Sequence, residues 1–434
     1  MNSNSKNSAL LHAIAWGMLG VSLGLFLSFL QAIPAMQGMM GPVTYGRILP
    51  VHLNSLLYGW IGLLCLHFLR GGLDVNLQTQ RNFDLLVQAW SFTIALCQMR
   101  ILSGHSSGKI FLEFEGWSRF AFIALLTALS LVLLHSAKFI GARQNLPFYV
   151  KWGLRIVAYG SPCLPLILFF ASSDHFYPPI NPDTGGPTGF DLMGSTVVII
   201  PFLILLPRAG ASMAMSGQAL PCHAQINLIQ TEGIKYVSSL SNLEKWIWGA
   251  WGIHLMYFLV FPHGAASHRS WREQVSMLSL WLWIALLGLL YQRQTWAPAI
   301  KIWVLAFLLW FSILTSTATL MFFPGWLDAI KFTSNLVAHA HLAMAGMCSS
   351  AMLLYGFMQK PPSPHESMRM ALLWNASVVL LVLSFISQTR PGSTLTTTMA
   401  AGLLPLRVCA CIGLMFFFVM AYRHFSNAIA KSPA

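Results

Sequence analysis

The tripeptide His339-Ala340-His341 lies inside the apolar run from Asn335 to Met358 and is the clearest candidate for cofactor chemistry in the chain. Residues two apart on an α-helix are rotated by about 200°, so these imidazoles leave opposite faces of one helix at nearly the same depth. Imidazole is a common metal ligand. Two such ligands on opposite sides of one membrane helix can each hold a separate haem, which predicts a cofactor site rather than a packing pattern.

The composition indicates where such a helix lies. Of the 434 residues, 56% are hydrophobic and only 9% are charged, which is typical of a membrane protein and unlike a soluble one. Apolar stretches long enough to cross about 30 Å of hydrocarbon predict an all-α protein with twelve transmembrane helices in one membrane domain, residues 1–434. The predicted spans are 9–33, 48–69, 83–103, 117–140, 147–172, 191–214, 243–263, 274–292, 300–323, 333–357, 370–388 and 398–421.

The distribution of Lys and Arg predicts the orientation of these spans. With both termini in the cytoplasm, most basic residues fall in the inner segments, so the net charge of +13 is mainly a topology signal. The partner that this charge indicates is the lipid bilayer. No basic soluble face is visible, which argues against nucleic acid as a partner. The seven cysteines form no Cys-x-x-Cys or Cys-x-x-Cys-His motif, so neither a zinc ribbon nor a covalently attached c-type haem is indicated.

Four histidines fall at one level of the predicted bundle. His52 lies near the start of the second span, His263 ends the seventh, and His339 and His341 lie early in the tenth, all toward the outer face. A single histidine in hydrocarbon is more often a satisfied polar packing residue than a ligand. Four at the same depth are not expected from unrelated packing, so they indicate a shared role.

These residues resemble the haem-copper oxidase superfamily, and within it the catalytic subunits of cbb-type cytochrome c oxidases and bacterial nitric oxide reductases. The segment 45–54, followed by Gly59, is similar to the low-spin haem segment of that family, and 108–115 is similar to its acidic outer loop. The resemblance implies a subunit I-like fold. It also implies that His52 and His341 are the axial ligands of a low-spin haem b, and that His339 is the proximal ligand of a second haem b.

The copper ligands of the family are largely missing. Its sixth-span histidine aligns with Ser195, and its adjacent histidine pair in the seventh span reads His263-Gly264. A hydroxyl and a glycine cannot replace two imidazoles, so we expect no copper. His263 is then the candidate to fill the distal side of the second haem. Tyr257, at the position of the family's active-site tyrosine, is better explained as a core residue, and His254 as a polar core residue.

Charged residues near the outer face complete the expected site. Arg47 and Arg390 lie at the level where haem propionates would need a positive partner. Glu113 and Glu115 resemble family residues that help to hold a calcium ion beside a propionate, because hard carboxylate oxygens suit calcium. The alternative for each of them is a solvated loop charge.

The sequence therefore predicts a haem b-binding membrane subunit of a respiratory complex in the bacterial inner membrane, with its haems toward the outer face. It would transfer electrons between a c-type cytochrome or periplasmic redox enzyme and the quinone pool or another carrier, rather than reduce a gas. Two alternatives stay open. One is a terminal oxidase or nitric oxide reductase with a non-standard site; the other, a twelve-helix solute transporter, predicts related halves that the sequence does not contain.

Overall fold

The computed structural model describes residues 8–73, 77–109, 111–140, 148–180, 192–217, 223–260, 271–330, 333–388 and 397–430. The protein is all-helical: helix makes up 86% of it, and the described residues contain no strand. This confirms the all-α prediction.

Seventeen α-helices and two π-helical segments build the described part of the chain. The π segments interrupt two long helices: the first π segment (Ser55–Ile61) joins α3 to α4, and the second π segment (Leu342–Cys348) joins α14 to α15. In chain order the α-helices are α1 (Ser8–Ala32), α2 (Ala35–Met39), α3 (Tyr45–Asn54), α4 (Gly62–Leu73), α5 (Leu77–Leu102), α6 (Trp117–Ile140), α7 (Phe148–Gly160), α8 (Cys163–Ala171), α9 (Leu192–Gly217), α10 (His223–Val260), α11 (Trp271–Gln292), α12 (Pro298–Met321), α13 (Trp326–Ile330), α14 (Ser334–His341), α15 (Ser349–Gln359), α16 (Pro364–Ile386) and α17 (Thr397–Ala430).

Within these described ranges, nine helical stretches are long and apolar enough to cross a membrane, which is the character of a multi-pass membrane protein. They match nine of the twelve predicted spans. The nine are Ser8–Ala32, Tyr45–Arg70, Arg81–Leu102, Trp117–Lys138, Gln274–Gln292, Pro298–Met321, Ser334–Gln359, Pro364–Ile386 and Thr398–Ser426.

The other three predicted spans have a different form. The span at 147–172 is a pair of helices, Lys151–Gly160 and Cys163–Ala171, bent by 44°. Pro162 lies at this break, where its ring and missing N–H disfavour a continuous helix. The span at 191–214 falls in α9, of which Thr196–Pro207 is a shorter apolar helix, and the span at 243–263 falls at the end of α10. The bent pair would be a tenth span if it crosses as one unit.

The two π segments pack against each other in the middle of the bundle. A π turn leaves some main-chain carbonyls without the N–H donor that an α-helix would supply. Two serine hydroxyls donate to such carbonyls: Ser55 Oγ donates to the Val51 carbonyl at 2.8 Å, and Ser349 Oγ donates to the Met344 carbonyl at 2.7 Å. The Trp60 indole joins the segments by donating to Ser349 Oγ at 2.8 Å. The second segment begins directly after His341 and the first begins three residues after His52, and π turns are frequent at functional sites.

Candidate functional site

His52 lies in the last turn of α3 and is buried, with 7% of its surface exposed. Its Nδ1 is 2.7 Å from the carbonyl oxygen of Gly20 in α1. Because a carbonyl can only accept, Nδ1 carries the proton and donates it. A glycine makes this close approach possible, since a Cβ on Gly24 would come within 2.8 Å of the imidazole Cε1 of His52. The imidazole is thus held in one orientation by the backbone of α1.

His341 ends α14 on the other side of the site. Its Nδ1 donates to the carbonyl of Val337 at 2.8 Å, one turn earlier in the same helix. Its ring centroid is 4.9 Å from the ring of Phe385 in α16. The π segment that follows His341 is joined to the π segment after α3, the helix of His52, by the hydrogen bond from Trp60 to Ser349.

His339 leaves α14 in another direction. Its Nδ1 is 3.2 Å from Oγ1 of Thr317 in α12, and that hydroxyl is 3.0 Å from the carbonyl oxygen of Leu314. The hydroxyl therefore has two acceptors within reach, the Leu314 carbonyl and His339 Nδ1. His339 contacts α12 whereas His341 contacts α16, so the two imidazoles have different neighbours.

Two of the three histidines share one protonation pattern. In His52 and His341, Nδ1–H donates to a main-chain carbonyl, which leaves the lone pair on Nε2. Histidines that bind metal almost always donate their other ring N–H to a carbonyl, a carboxylate or water, because this fixes the tautomer and raises the basicity of the ligating nitrogen. These two imidazoles are thus prepared to bind a metal through Nε2, and the contact of His339 with the Thr317 hydroxyl is compatible with the same tautomer.

Arg407, which sequence reasoning missed, belongs to the surroundings of this site. It lies in α17, only 1% exposed, with its guanidinium carbon 4.3 Å from the centroid of the Phe385 ring that also contacts His341. The available signal was an arginine inside the predicted span 398–421, because ionisable residues within a membrane are usually functional.

Of the two arginines that the sequence suggested as propionate partners, the structure describes Arg47 but not Arg390. Arg47 lies near the start of α3, where its Nη1 donates to the carbonyl of Leu102 at the end of α5, at a distance of 3.1 Å. This bond ties two helix ends together and uses part of the guanidinium. Arg390 lies outside the described residues. A contact of either arginine with a propionate stays a prediction.

Glu113 and Glu115 have different environments in the loop that follows α5. The carboxylate of Glu113 is buried and accepts from Ser106 Oγ at 3.1 Å and from the Ser107 backbone N–H and hydroxyl at 2.7 and 3.0 Å. Glu115 is exposed and lines a polar cavity of about 400 Å³. In the part of the chain that the structure describes, no three His, Cys, Asp or Glu side chains are grouped to hold a metal ion. Calcium binding by these two residues stays a prediction.

An ion pair between a buried lysine and an exposed aspartate holds the same loop against the segment after α8. Lys109 Nζ is 2.9 Å from the Asp174 carboxylate and 3.4 Å from the carbonyl of Ala171. Tyr177 in this segment is partly enclosed, and burial raises the pKa of its phenol to about 12. These contacts fasten the loop to the segment after α8.

The residues expected at the missing copper centre are only partly described. His254 is buried and accepts from the indole N–H of Trp283 at 2.8 Å, which agrees with its interpretation as a polar core residue and identifies a partner. Tyr257 is half-buried in the same helix. Ser195 lies in α9, but its side chain, like the whole of His263 and Gly264, lies outside the described residues.

Comparison with known proteins adds no relative. No model of a known protein family matches the chain, and no curated protein matches it in sequence.

Proposed function

We propose that this protein is a haem b-binding membrane subunit that transfers electrons within a respiratory complex. The observation that carries the proposal is the shared protonation pattern of His52 and His341, each with Nδ1 donating to a main-chain carbonyl and Nε2 left as the ligand atom. Helical histidines that only pack have no need of a common tautomer. The haem-copper oxidase-like arrangement suggested by the sequence is consistent with this pattern and is part of the proposal.

The three histidines have the chemistry that a haem iron requires of its ligands. His52 and His341 would hold a low-spin haem b between α3 and α14, and His339 would hold a second haem b on the side of α12. Haem iron supplies one-electron redox chemistry, whose potential depends on the axial ligands and the surrounding burial. The main-chain acceptors of Gly20 and Val337 fix two of the imidazoles, so neither ring has to reorient when the charge at the site changes.

The expected partners follow from what this chain contains. No Cys-x-x-Cys-His motif is present, so a c-type cytochrome, or another periplasmic redox enzyme, would be a separate polypeptide. The distribution of Lys and Arg places the histidine-bearing end of the bundle at the outer face of a bacterial inner membrane. Electrons would pass there between the partner and the quinone pool or another carrier.

Haem and metal analysis of the purified protein tests this proposal. We expect haem b at one or more per chain with a low-spin spectrum, copper far below one atom per chain, and slow reduction of dioxygen. The reason for the low copper is that Ser195 and Gly264 replace two of three nitrogen ligands. A folded protein without haem would contradict the proposal. Copper near one atom per chain with haem-linked oxidase turnover would favour a gas-reducing enzyme instead.

Gly24 provides a second test of how His52 is held. In Gly24→Ala the new Cβ would come within 2.8 Å of the imidazole Cε1 of His52, so the ring must leave the Gly20 carbonyl. We expect the low-spin haem signal to fall several-fold. The matched control is Gly402→Ala, also in a helix but with open space around the new Cβ; it should keep the signal and stabilise α17 by roughly 0.5–1 kcal/mol. Equal signals in the two variants would argue against His52 as a ligand held by α1.

A further inference from the structure

Arg407 is a buried positive charge in the last membrane helix. It lies ten residues into α17, and only 1% of its surface is exposed. A charged side chain inside a membrane helix is costly, and it is usually paired with an acid or has a functional reason to be there. The question is therefore which group balances its charge.

The described partners of Arg407 are all neutral. Nη1 donates to the amide oxygen of Gln31 in α1 at 2.7 Å, and Nε donates to Ser384 Oγ in α16 at 3.3 Å. The guanidinium lies over the ring of Phe385, 4.3 Å from its centroid, an attractive cation–π contact. Nη2 is buried and has no hydrogen-bond partner among the described residues, and Arg407 forms no ion pair with them.

This charge, which has no ion-pair partner among the described residues, is next to His341. The Phe385 ring contacts both groups, with its centroid 4.3 Å from the guanidinium carbon and 4.9 Å from the imidazole centroid of His341, so the guanidinium is within about 9 Å of that imidazole. The contact with Gln31, which in turn donates to the Tyr45 hydroxyl at 2.8 Å, connects Arg407 to the start of α3.

We propose that Arg407 is a tuning residue whose buried charge raises the reduction potential of the haem held by His52 and His341. The inference rests on the proposed function. One-electron reduction of a haem bound there would make the site less positive by one charge. A fixed positive charge nearby would therefore favour the reduced form, and its effect would be strong because Arg407 is buried. For a separation on the order of 10 Å and an effective dielectric constant of about 20, one charge would shift such an equilibrium by roughly tenfold.

The test is a redox titration of the low-spin haem signal in the full-length protein. In Arg407→Met we expect the ratio of reduced to oxidised haem at a fixed ambient potential to fall at least tenfold, a lowering of the potential by about 59 mV for one electron. Arg407→Lys keeps the charge and should stay closer to the unmodified protein. Arg423→Met is the matched control: an exposed arginine on the same helix, about 24 Å further along, whose loss should change nothing.

Arg407→Gln keeps a polar group beside Gln31 without the charge, and it replaces Arg407→Met if that variant does not assemble. A potential that is unchanged in both neutral variants, in protein that retains the low-spin haem, would overturn the inference and leave the proposed function intact. Lower thermal stability or haem content without a shift in potential would assign Arg407 a merely structural role. Absence of low-spin haem from the unmodified protein would refute the proposed function, and the inference with it.

Discussion

Replacing His52 or His341 with alanine is expected to abolish the low-spin haem b spectrum. Bis-imidazole ligation is what makes such an iron low-spin, so the loss of either ligand leaves it five-coordinate or water-bound. The two imidazoles come from different helices, and each is fixed by its own carbonyl acceptor, so neither can take over the position of the other. Optical and electron paramagnetic resonance spectra of the purified variants measure the effect.

His254→Ala is the matched control for this prediction. His254 is also a buried helical histidine, but its Nδ1 accepts a hydrogen bond from Trp283 instead of donating one, which is the opposite tautomer at that nitrogen. Its loss should leave the low-spin spectrum unchanged. Added imidazole should restore the signal in His52→Ala or His341→Ala if the variant is folded and lacks only a ligand. A low-spin spectrum that is unchanged in both His52→Ala and His341→Ala would refute the assignment of these two residues as haem ligands.

The spans could be predicted from the sequence where an apolar run alone decides the structure. Nine of them follow from length and hydrophobicity. The break between α7 and α8 was marked by Pro162, but hydrophobicity continues across it and hides the bend. The π segments could not be predicted, because the preference for a wider turn comes from packing between helices, such as the Trp60 indole on Ser349, and not from a local pattern.

The candidate site was predictable to the extent that helix geometry fixes it. The rotation of about 100° per residue was enough to send His339 and His341 toward different neighbours. The groups that orient the imidazoles were not predictable, because the Gly20 and Val337 acceptors are main-chain carbonyls that any residue carries. Arg407 was overlooked since its partners lie far away in the sequence and it is surrounded by apolar residues.

The second haem, which we propose that His339 holds, gives the other large expected effect. In the family that the sequence resembles, the distal side of this haem faces the copper ion, and here two of the copper ligands are replaced. A well-packed interior fills such a space with a side chain or water. We expect His263 to occupy it as the sixth ligand, because an unpaired imidazole in an apolar site is unfavourable. The second haem would then be low-spin and closed to gases.

Carbon monoxide difference spectra of the reduced protein test this directly. The unmodified chain should respond weakly and slowly, whereas His263→Ala should give a strong, rapid high-spin response, because removal of the sixth ligand opens the iron. Thr317→Val, which removes the hydroxyl that contacts His339 Nδ1, should alter the proximal side alone and leave the distal side closed. A strong response in the unmodified chain would exclude His263 as a ligand. Since an open second haem is also what a gas-reducing enzyme requires, that single spectrum separates a protein that only transfers electrons from one that can bind a diatomic substrate.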